Sequence, residues 1–191
     1  NIGVAHLEFL GSRDGILKAK CEMFDYAADD VKAFVNGDDD KLITLKDIAR
    51  TFGMDPSRDV WADSVEKLGF DGVRCRIHTD TKNSFEVVIP LPGTHMVYNA
   101  MAGTCIGLSL GLSIDEIRSG IESLKPLPGR SNILHTEHYT LLDDCYNANP
   151  MSMKASLDVL HDGEGRRVAI LGDMGELGEN EISLHKEKSE A

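Results

Sequence analysis

The chain has 191 residues, with 20 Lys and Arg against 32 Asp and Glu, for a formal net charge of −12. This acidic balance argues against nonspecific nucleic-acid binding, which needs a basic surface, but it leaves room for a local site that binds a phosphorylated small molecule. Because 41% of the residues are hydrophobic, wholesale disorder is excluded, and the length suffices for one complete domain and part of another.

The four cysteines are widely spaced, and neither a CxxC pair nor a histidine cluster accompanies them. This pattern predicts reduced thiols in a cytoplasmic protein and argues against a zinc site. The sequence has no signal peptide and no apolar run of transmembrane length, so we expect no membrane insertion. The first residue is Asn1 and the last six residues are mostly polar. We therefore expect the chain to be a piece of a longer protein.

The first fifty residues mix helix and strand patterns. Apolar residues recur at helical spacing over residues 12–28, which predicts a helix. Residues 32–36 predict a short strand. A second helix is expected over residues 40–52, with Gly53 at its end.

The middle of the chain changes to a strand pattern and then to helices. Apolar and polar residues alternate within residues 60–90, which predicts an antiparallel, half-exposed β section. Residues 96–110 predict a helix rich in small side chains. Ser113 and Glu116 form a capping-box pattern that begins another helix.

A new domain is expected after the Pro- and Gly-containing linker at residues 125–129. Strands are predicted at residues 132–136 and 139–143, a helix from Pro150, and a strand at residues 168–171. This order predicts a parallel βαβ unit and an α/β fold class. We expect a first domain over residues 1–128 and a second over residues 129–191, both incomplete.

Lys20 lies among apolar helical neighbours in the first predicted helix. We therefore predict that Lys20 is buried, and burial favours a neutral amine. The simpler alternative is a lysine that reaches solvent from the edge of the core. His6 and Glu8 follow a predicted strand end and would add ligands for a cation, although a surface histidine is the commoner situation.

Polar side chains also occur next to predicted helices. Asn99 lies in the first turns of the helix over residues 96–110, where its amide can pair with a purine edge or simply face solvent. The sequence Asp-Asp-Cys-Tyr-Asn-Ala-Asn-Pro at residues 143–150 joins a predicted strand to a helix. Asn149 suits the N-cap and Pro150 the first helical position, so this loop is either an anion site or a capped turn.

The Gly-rich loop at residues 172–178 follows the last predicted strand, and ligands gather at the carboxyl ends of parallel strands. The sequence contains no GxxxxGK[ST] motif, the loop that cradles nucleotide phosphates. We therefore expect the chain by itself not to turn over ATP.

Taken together, these segments resemble the Mur ligases, the ATP-dependent amide-bond-forming enzymes of bacterial peptidoglycan synthesis. The resemblance rests on segments that occur in family order: NIGVAHLEFLGS, GILKAKCEMF, VNGDDD, GTHMVYNA, and DDCYNANP followed by ILGDMGELG. The run from Tyr146 to Pro150 is most similar to members that add D-alanyl-D-alanine to UDP-N-acetylmuramoyl tripeptide. On this resemblance, residues 1–128 are the latter part of a central ATPase domain with an antiparallel subsidiary sheet, and residues 129–191 begin a Rossmann-like domain.

The resemblance implies that ATP and Mg²⁺ are the cofactors and assigns catalytic roles to three residues. Lys20 matches the family's lysine that becomes a carbamate near Mg²⁺. His6 matches a histidine at a second Mg²⁺, which is an unusual ligand for so hard an ion. Arg130 matches an arginine that reaches the γ-phosphate.

The resemblance also implies contacts to the nucleotide and the substrates. Asn99 matches an adenine-side asparagine and Asp144 a ribose-binding aspartate, while Asn36 lies near the nucleotide. The loop assigned to substrate or phosphate contains Tyr146, Asn147 and Asn149.

The implied reaction has two steps, in which the tripeptide carboxylate takes the γ-phosphoryl group and the amine of D-Ala-D-Ala then displaces phosphate. Thr94, Met96 and Cys145 depart from residues frequent in the family, and we expect them to weaken or reshape contacts to the nucleotide without changing the reaction class. The alternatives are another amino-acid-adding ligase on the same scaffold and a noncatalytic fragment that binds adenine nucleotide or a partner protein.

Overall fold

The computed structural model describes residues 1–3, 7–28, 30–178 and 181–189, without the side chains of residues 7, 188 and 189. The chain divides into two compact units. Unit 1 consists of Asn1 and Met23–Lys125, and unit 2 of Ile2–Glu22 and Pro126–Ala191. The α/β class predicted from the sequence is confirmed, while the domain limits at residues 128 and 129 stay a prediction.

Unit 1 is built on a five-stranded mixed sheet in the order β1-β2-β3-β4-β5. Its strands are β1 Phe34–Asn36, β2 Arg50–Gly53, β3 Val60–Lys67, β4 Val73–His78 and β5 Ser84–Ile89. Strands β1, β2 and β3 pair in parallel, and β3, β4 and β5 pair antiparallel. The antiparallel section predicted within residues 60–90 is therefore confirmed.

The core of unit 1 lies between this sheet and the helices α3, His95–Ser109, and α4, Ile114–Glu122. Every second residue of β4 and β5 is buried, so one face of the antiparallel section joins this core. Val97 and Met101 of α3 are fully buried in the same cluster. Helix α4 begins with the predicted capping box, in which the Ser113 hydroxyl accepts from the Glu116 N–H and the Glu116 carboxylate accepts from the Ser113 N–H.

The helix predicted over residues 40–52 is wrong. Leu42–Leu45 form a single 3₁₀ turn, and Arg50–Gly53 form strand β2. Strand β2 lies between β1 and β3, and it buries Thr51 and Phe52. Ladder hydrogen bonds and burial on both sides outweigh the helical spacing of this short segment, because a helix of that length has little stability of its own.

The described part of unit 2 has more helix than unit 1 and contains one two-stranded sheet. Its elements are α1 Leu7–Leu10, α2 Arg13–Cys21, β6 Asn132–His135, β7 Thr140–Asp143, α5 Pro150–His161 and α6 Glu181–Ser189. The two strands predicted at residues 132–136 and 139–143 are present as β6 and β7, and they form an antiparallel hairpin. A small apolar cluster of Met153, Met174 and Leu177 joins α5 to the loop that precedes α6.

Two other predictions are wrong. The helix predicted over residues 12–28 ends as α2 at Cys21, and Glu22–Tyr26 continue as a 3₁₀ turn. Residues 168–171 are not a strand, so the parallel βαβ unit does not form within the described part of unit 2. Val168 and Ile170 are 63% and 95% exposed, and a strand without a ladder partner or apolar cover has nothing to stabilise it.

Within the described ranges, no helix combines the length and apolar character needed to cross a membrane.

Helix α3 offers a test of the unit 1 core. Met101 is fully buried, whereas Ile106 on the same helix is 49% exposed. We expect Met101→Ala to lower the free energy of unfolding by about 2–5 kcal/mol, because it leaves a cavity in the core. Ile106→Ala is expected to cost less than about 1 kcal/mol. Urea denaturation followed by circular dichroism measures both, and equal costs would contradict this packing.

Candidate functional site

In unit 1, Asn36 ends strand β1, at the carboxyl edge where open α/β sheets place their ligands. Its side chain is 8% exposed. The amide Nδ2 donates to Asn1 Oδ1 at 2.7 Å, and Oδ1 accepts from the Asp38 N–H at 3.0 Å. These two hydrogen bonds fix the orientation of the amide.

Asp38 is the centre of a hydrogen-bonded group in the same unit. Its carboxylate accepts from the Met54 N–H at 2.5 Å, from the Tyr98 hydroxyl at 3.1 Å and from Arg58 Nε at 3.2 Å. Burial raises the pKa of Tyr98, and the negative charge of Asp38 and its hydrogen bond to the hydroxyl raise it further. Asp38 therefore connects the loops after β1 and β2 to helix α3.

Asn99 follows Tyr98 on α3, and its side chain is exposed. Its Nδ2 lies 3.4 Å from Met96 Sδ, a weak acceptor. The amide is thus accessible to a ligand. The motifs predict roles at the nucleotide for Asn36 and Asn99, and these stay predictions. They gave no role to Asp38, Arg58 or Tyr98, and the acidic run that follows β1 was the available signal for the first of these.

In unit 2, hydrogen bonds from backbone N–H groups join the segment before β6 to the end of β7 and the loop that follows it. The Gly129 N–H donates to Asp143 Oδ2 at 3.0 Å, and the Ser131 N–H donates to Asp144 Oδ1 at 2.9 Å. The Tyr146 N–H donates to the Gly129 carbonyl at 3.0 Å. Gly129 has φ +72°, and a Cβ there would lie 3.3 Å from Tyr146 N, so the close approach favours glycine.

These bonds bring three of the predicted site residues together. The exposed Arg130 guanidinium lies 4.0 Å from the centroid of the Tyr146 ring, a cation–π contact. The second oxygen of Asp144 accepts from the Ser156 hydroxyl on α5, so both of its oxygens stabilise the loop. Arg130, Asp144 and Tyr146 consequently form one surface of unit 2.

The remaining polar residues of this loop have different environments. Asn147 is exposed. Asn149 is the N-cap of α5, where its Oδ1 accepts from the N–H groups of Met151 and Ser152, each at 3.0 Å. The Asn149 oxygen is therefore engaged by the helix, as the capped-turn alternative predicts.

The Gly-rich loop over residues 172–178 is held by a histidine that sequence analysis missed. The Met174 N–H donates to His185 Nε2 at 2.9 Å, and His185 Nδ1 lies 2.9 Å from the Glu181 carbonyl. Because a carbonyl only accepts, Nδ1 carries the proton and Nε2 is the acceptor. Helix α6 thus anchors the loop through one neutral imidazole.

The predicted burial of Lys20 is wrong. Lys20 is exposed, and α2 buries Ile16 alone. The helix ends before Met23, which is 64% exposed, so the apolar face expected around Lys20 is not completed. His6 lies outside the described residues. Within the described part of the chain, no group of three His, Cys, Asp or Glu side chains is arranged to hold a metal ion.

Cys145 gives a chemical test of the unit 2 loop. Its Sγ donates to Asp143 Oδ1 at 3.1 Å, and this hydrogen bond, followed by the charge of Asp143, raises the pKa of the Cys145 thiol. We expect Asp143→Asn to lower that pKa and to increase alkylation of Cys145 at pH 8, because the thiolate is the reactive form. Iodoacetamide labelling followed by peptide mass spectrometry measures the rate.

Glu137→Gln, a substitution of an exposed carboxylate in the same unit, is the control and should leave the rate unchanged. Cys75 and Cys105 should stay unlabelled, because both are buried and burial raises the pKa of each to about 11. An unchanged or slower rate at Cys145 in Asp143→Asn would contradict the hydrogen bond.

Comparison with known proteins relates both units to one family. Residues 1–107 match the family model of the Mur ligase middle domain, and residues 129–191 match that of the Mur ligase, glutamate ligase domain. The UDP-N-acetylmuramoyl-tripeptide–D-alanyl-D-alanine ligase of Escherichia coli is 35% identical over 202 residues, covering 100% of this chain and 43% of the relative. The Bacillus subtilis ligase of the same name is 33% identical, covering 98% and 41%.

Solved structures agree with the sequence relatives. A crystal structure of MurF from Acinetobacter baumannii has a TM-score of 0.90 and 34% identity, covering 98% of this chain and 42% of that one. MurF from Thermotoga maritima in complex with ADP has a TM-score of 0.87 and 28% identity, covering 100% and 44%. The chain thus spans less than half the length of the relatives it matches.

Proposed function

This chain belongs to the Mur ligase family, and from that premise we propose that the whole protein is a cytoplasmic, ATP-dependent ligase of peptidoglycan precursor synthesis. Its substrates would be UDP-N-acetylmuramoyl tripeptide and D-Ala-D-Ala. The observation that carries the proposal is the similarity, across 98–100% of this chain, to ligases whose names state that reaction.

The proposed chemistry is an acyl-phosphate mechanism, in which the tripeptide carboxylate takes the γ-phosphoryl group of ATP and the D-Ala-D-Ala amine then displaces phosphate. Arg130 is the group of unit 2 suited to offset charge on the transferring phosphoryl group, since its guanidinium is exposed. Asn99 offers an accessible amide to adenine, and Asp144 is the proposed ribose contact. Mg²⁺ would supply further charge stabilisation when bound.

The proposed carbamate on Lys20 rests on the family resemblance alone. The apolar surroundings expected from the sequence would favour a neutral amine, but Lys20 is exposed. The carbamate would convert a cation into an anionic oxygen ligand. This role is separable from helix stability, because Lys18 is also exposed on α2 and provides a matched control.

The test uses protein expressed from the complete reading frame that encodes this chain. Phosphate release is measured with ATP, Mg²⁺, UDP-N-acetylmuramoyl tripeptide and D-Ala-D-Ala, and each substrate is omitted in turn. We expect release only when both peptide substrates are present. Lys20→Ala should reduce release to background, and Lys18→Ala should not change it.

Three outcomes would contradict the proposal. Release that continues without D-Ala-D-Ala would indicate a different reaction, and release supported instead by a single amino acid would indicate another Mur-type ligase. Unchanged turnover in Lys20→Ala would remove the catalytic role of that residue.

A further inference from the structure

We propose that Asp38 is a positioning residue for the adenosine end of the nucleotide site. The inference rests on the proposed function, because it concerns how a Mur-type ligase would hold ATP. Asp38 lies between Asn36 and Asn99, two side chains assigned to the nucleotide, and it is hydrogen-bonded to Asn36 and to the neighbour of Asn99. All of these residues lie in unit 1.

The first connection is to Asn36. The Asp38 N–H donates to Asn36 Oδ1 at 3.0 Å, while Asn36 Nδ2 is occupied by Asn1 Oδ1 at 2.7 Å. The position of the Asp38 backbone therefore sets the orientation of the Asn36 amide. That backbone position depends in turn on what the Asp38 carboxylate binds.

The second connection is to helix α3. Asp38 Oδ2 accepts from the Tyr98 hydroxyl at 3.1 Å, and Tyr98 precedes Asn99. Because Tyr98 is the fourth residue of α3, this hydrogen bond attaches the first turn of the helix to the loop after β1. Asp38 thereby joins Asn36, through its backbone N–H, to the first turn of α3, through its carboxylate.

The surroundings hold that carboxylate in place. Asp38 Oδ1 pairs with Arg58 Nε at 3.2 Å, and the two side chains are only 22% and 19% exposed. A Cβ at Gly53 would lie 2.5 Å from Asp38 Oδ1, and one at Gly37 would lie 2.5 Å from Arg58 Cδ. Backbone packs closely against both members of the pair, so the carboxylate has little freedom to move.

This arrangement predicts an effect on ATP binding and not on the chemical step. Loss of the Asp38–Tyr98 bond would let α3 and the loop move relative to each other, so that the two amides no longer meet one adenosine at a fixed spacing. Neither Asp38 nor Tyr98 would touch the transferring phosphoryl group. An interaction made equally in the ground state and the transition state changes KM and leaves kcat unchanged.

The test compares Asp38→Asn and Tyr98→Phe in protein from the complete reading frame. Each should raise KM for ATP about threefold to tenfold, the range that corresponds to one hydrogen bond, with kcat and KM for the tripeptide substrate unchanged. The Kd for ATP from titration calorimetry should rise by the same factor. The double variant should lose less than the product of the single effects, because both changes remove the same bond.

Glu86→Gln is the matched control. It breaks the exposed Arg76–Glu86 pair, 2.7 Å long, between β4 and β5, and should alter none of these constants. If Asp38→Asn fails to fold, Tyr98→Phe decides alone, since it removes a single hydroxyl group.

The inference is overturned if ATP affinity is unchanged in the variants, or if kcat falls while KM for ATP stays constant. The proposed function fails separately, if the unmutated protein shows no ligation at all. In that case the Kd for ATP in the variants still decides the role of Asp38.

Discussion

The position of the candidate site in unit 1 depends on the packing of α3 against the mixed sheet. Val97 and Met101 are fully buried in the core that β4 and β5 also line. Between these buried positions on the helix, Asn99 is exposed, while Tyr98 is half-buried and packs against the edge of the core. The parallel pairing of β1 with β2 supplies the other half of the geometry, since it brings the residues after both strands to one edge of the sheet.

Hydrogen bonds between backbone N–H groups and carboxylates stabilise the loops of unit 2, whereas unit 1 is stabilised mainly by apolar burial. Its hairpin of β6 and β7 carries little core, and its apolar cluster is small. Asp143 and Asp144 instead accept hydrogen bonds from backbone N–H groups of the segment that precedes β6, at Gly129 and Ser131. Hydrogen bonds to charged acceptors are stronger than neutral ones, so two carboxylates are enough to define a loop with little hydrophobic support.

Features encoded by neighbouring residues could be predicted from the sequence. The capping box at Ser113 and the N-cap at Asn149 need only residues within a few positions, and the antiparallel section needs only alternation. Predictions failed where distant pairing decides the outcome. Strand β2 exists because β1 and β3 lie beside it, and residues 168–171 lack such partners within the described structure.

The same distinction applies to the site. Asn36, Asn99, Arg130 and Asp144 were predicted from motifs, whereas Asp38 and His185 make contacts with residues 60 and 11 positions away in sequence. The prediction that Lys20 is buried failed because two of its expected apolar neighbours, Met23 and Phe24, belong to a 3₁₀ segment that does not continue the α-helix. Apolar spacing alone does not show where an α-helix ends, because the same spacing continues into the 3₁₀ segment after Cys21.

The stacking of Arg130 on Tyr146 has a consequence for the capture of anions. The guanidinium carbon lies over the ring, 4.0 Å from its centroid, and the N–H donors of arginine point outward in the guanidinium plane. An anion that approaches along this plane need not displace the tyrosine. Because the ring already restricts a long side chain, part of the rotamer entropy that binding would otherwise remove has been lost on folding. Arginine in this loop is therefore preorganised, and lysine, which has no flat face to stack, would not be.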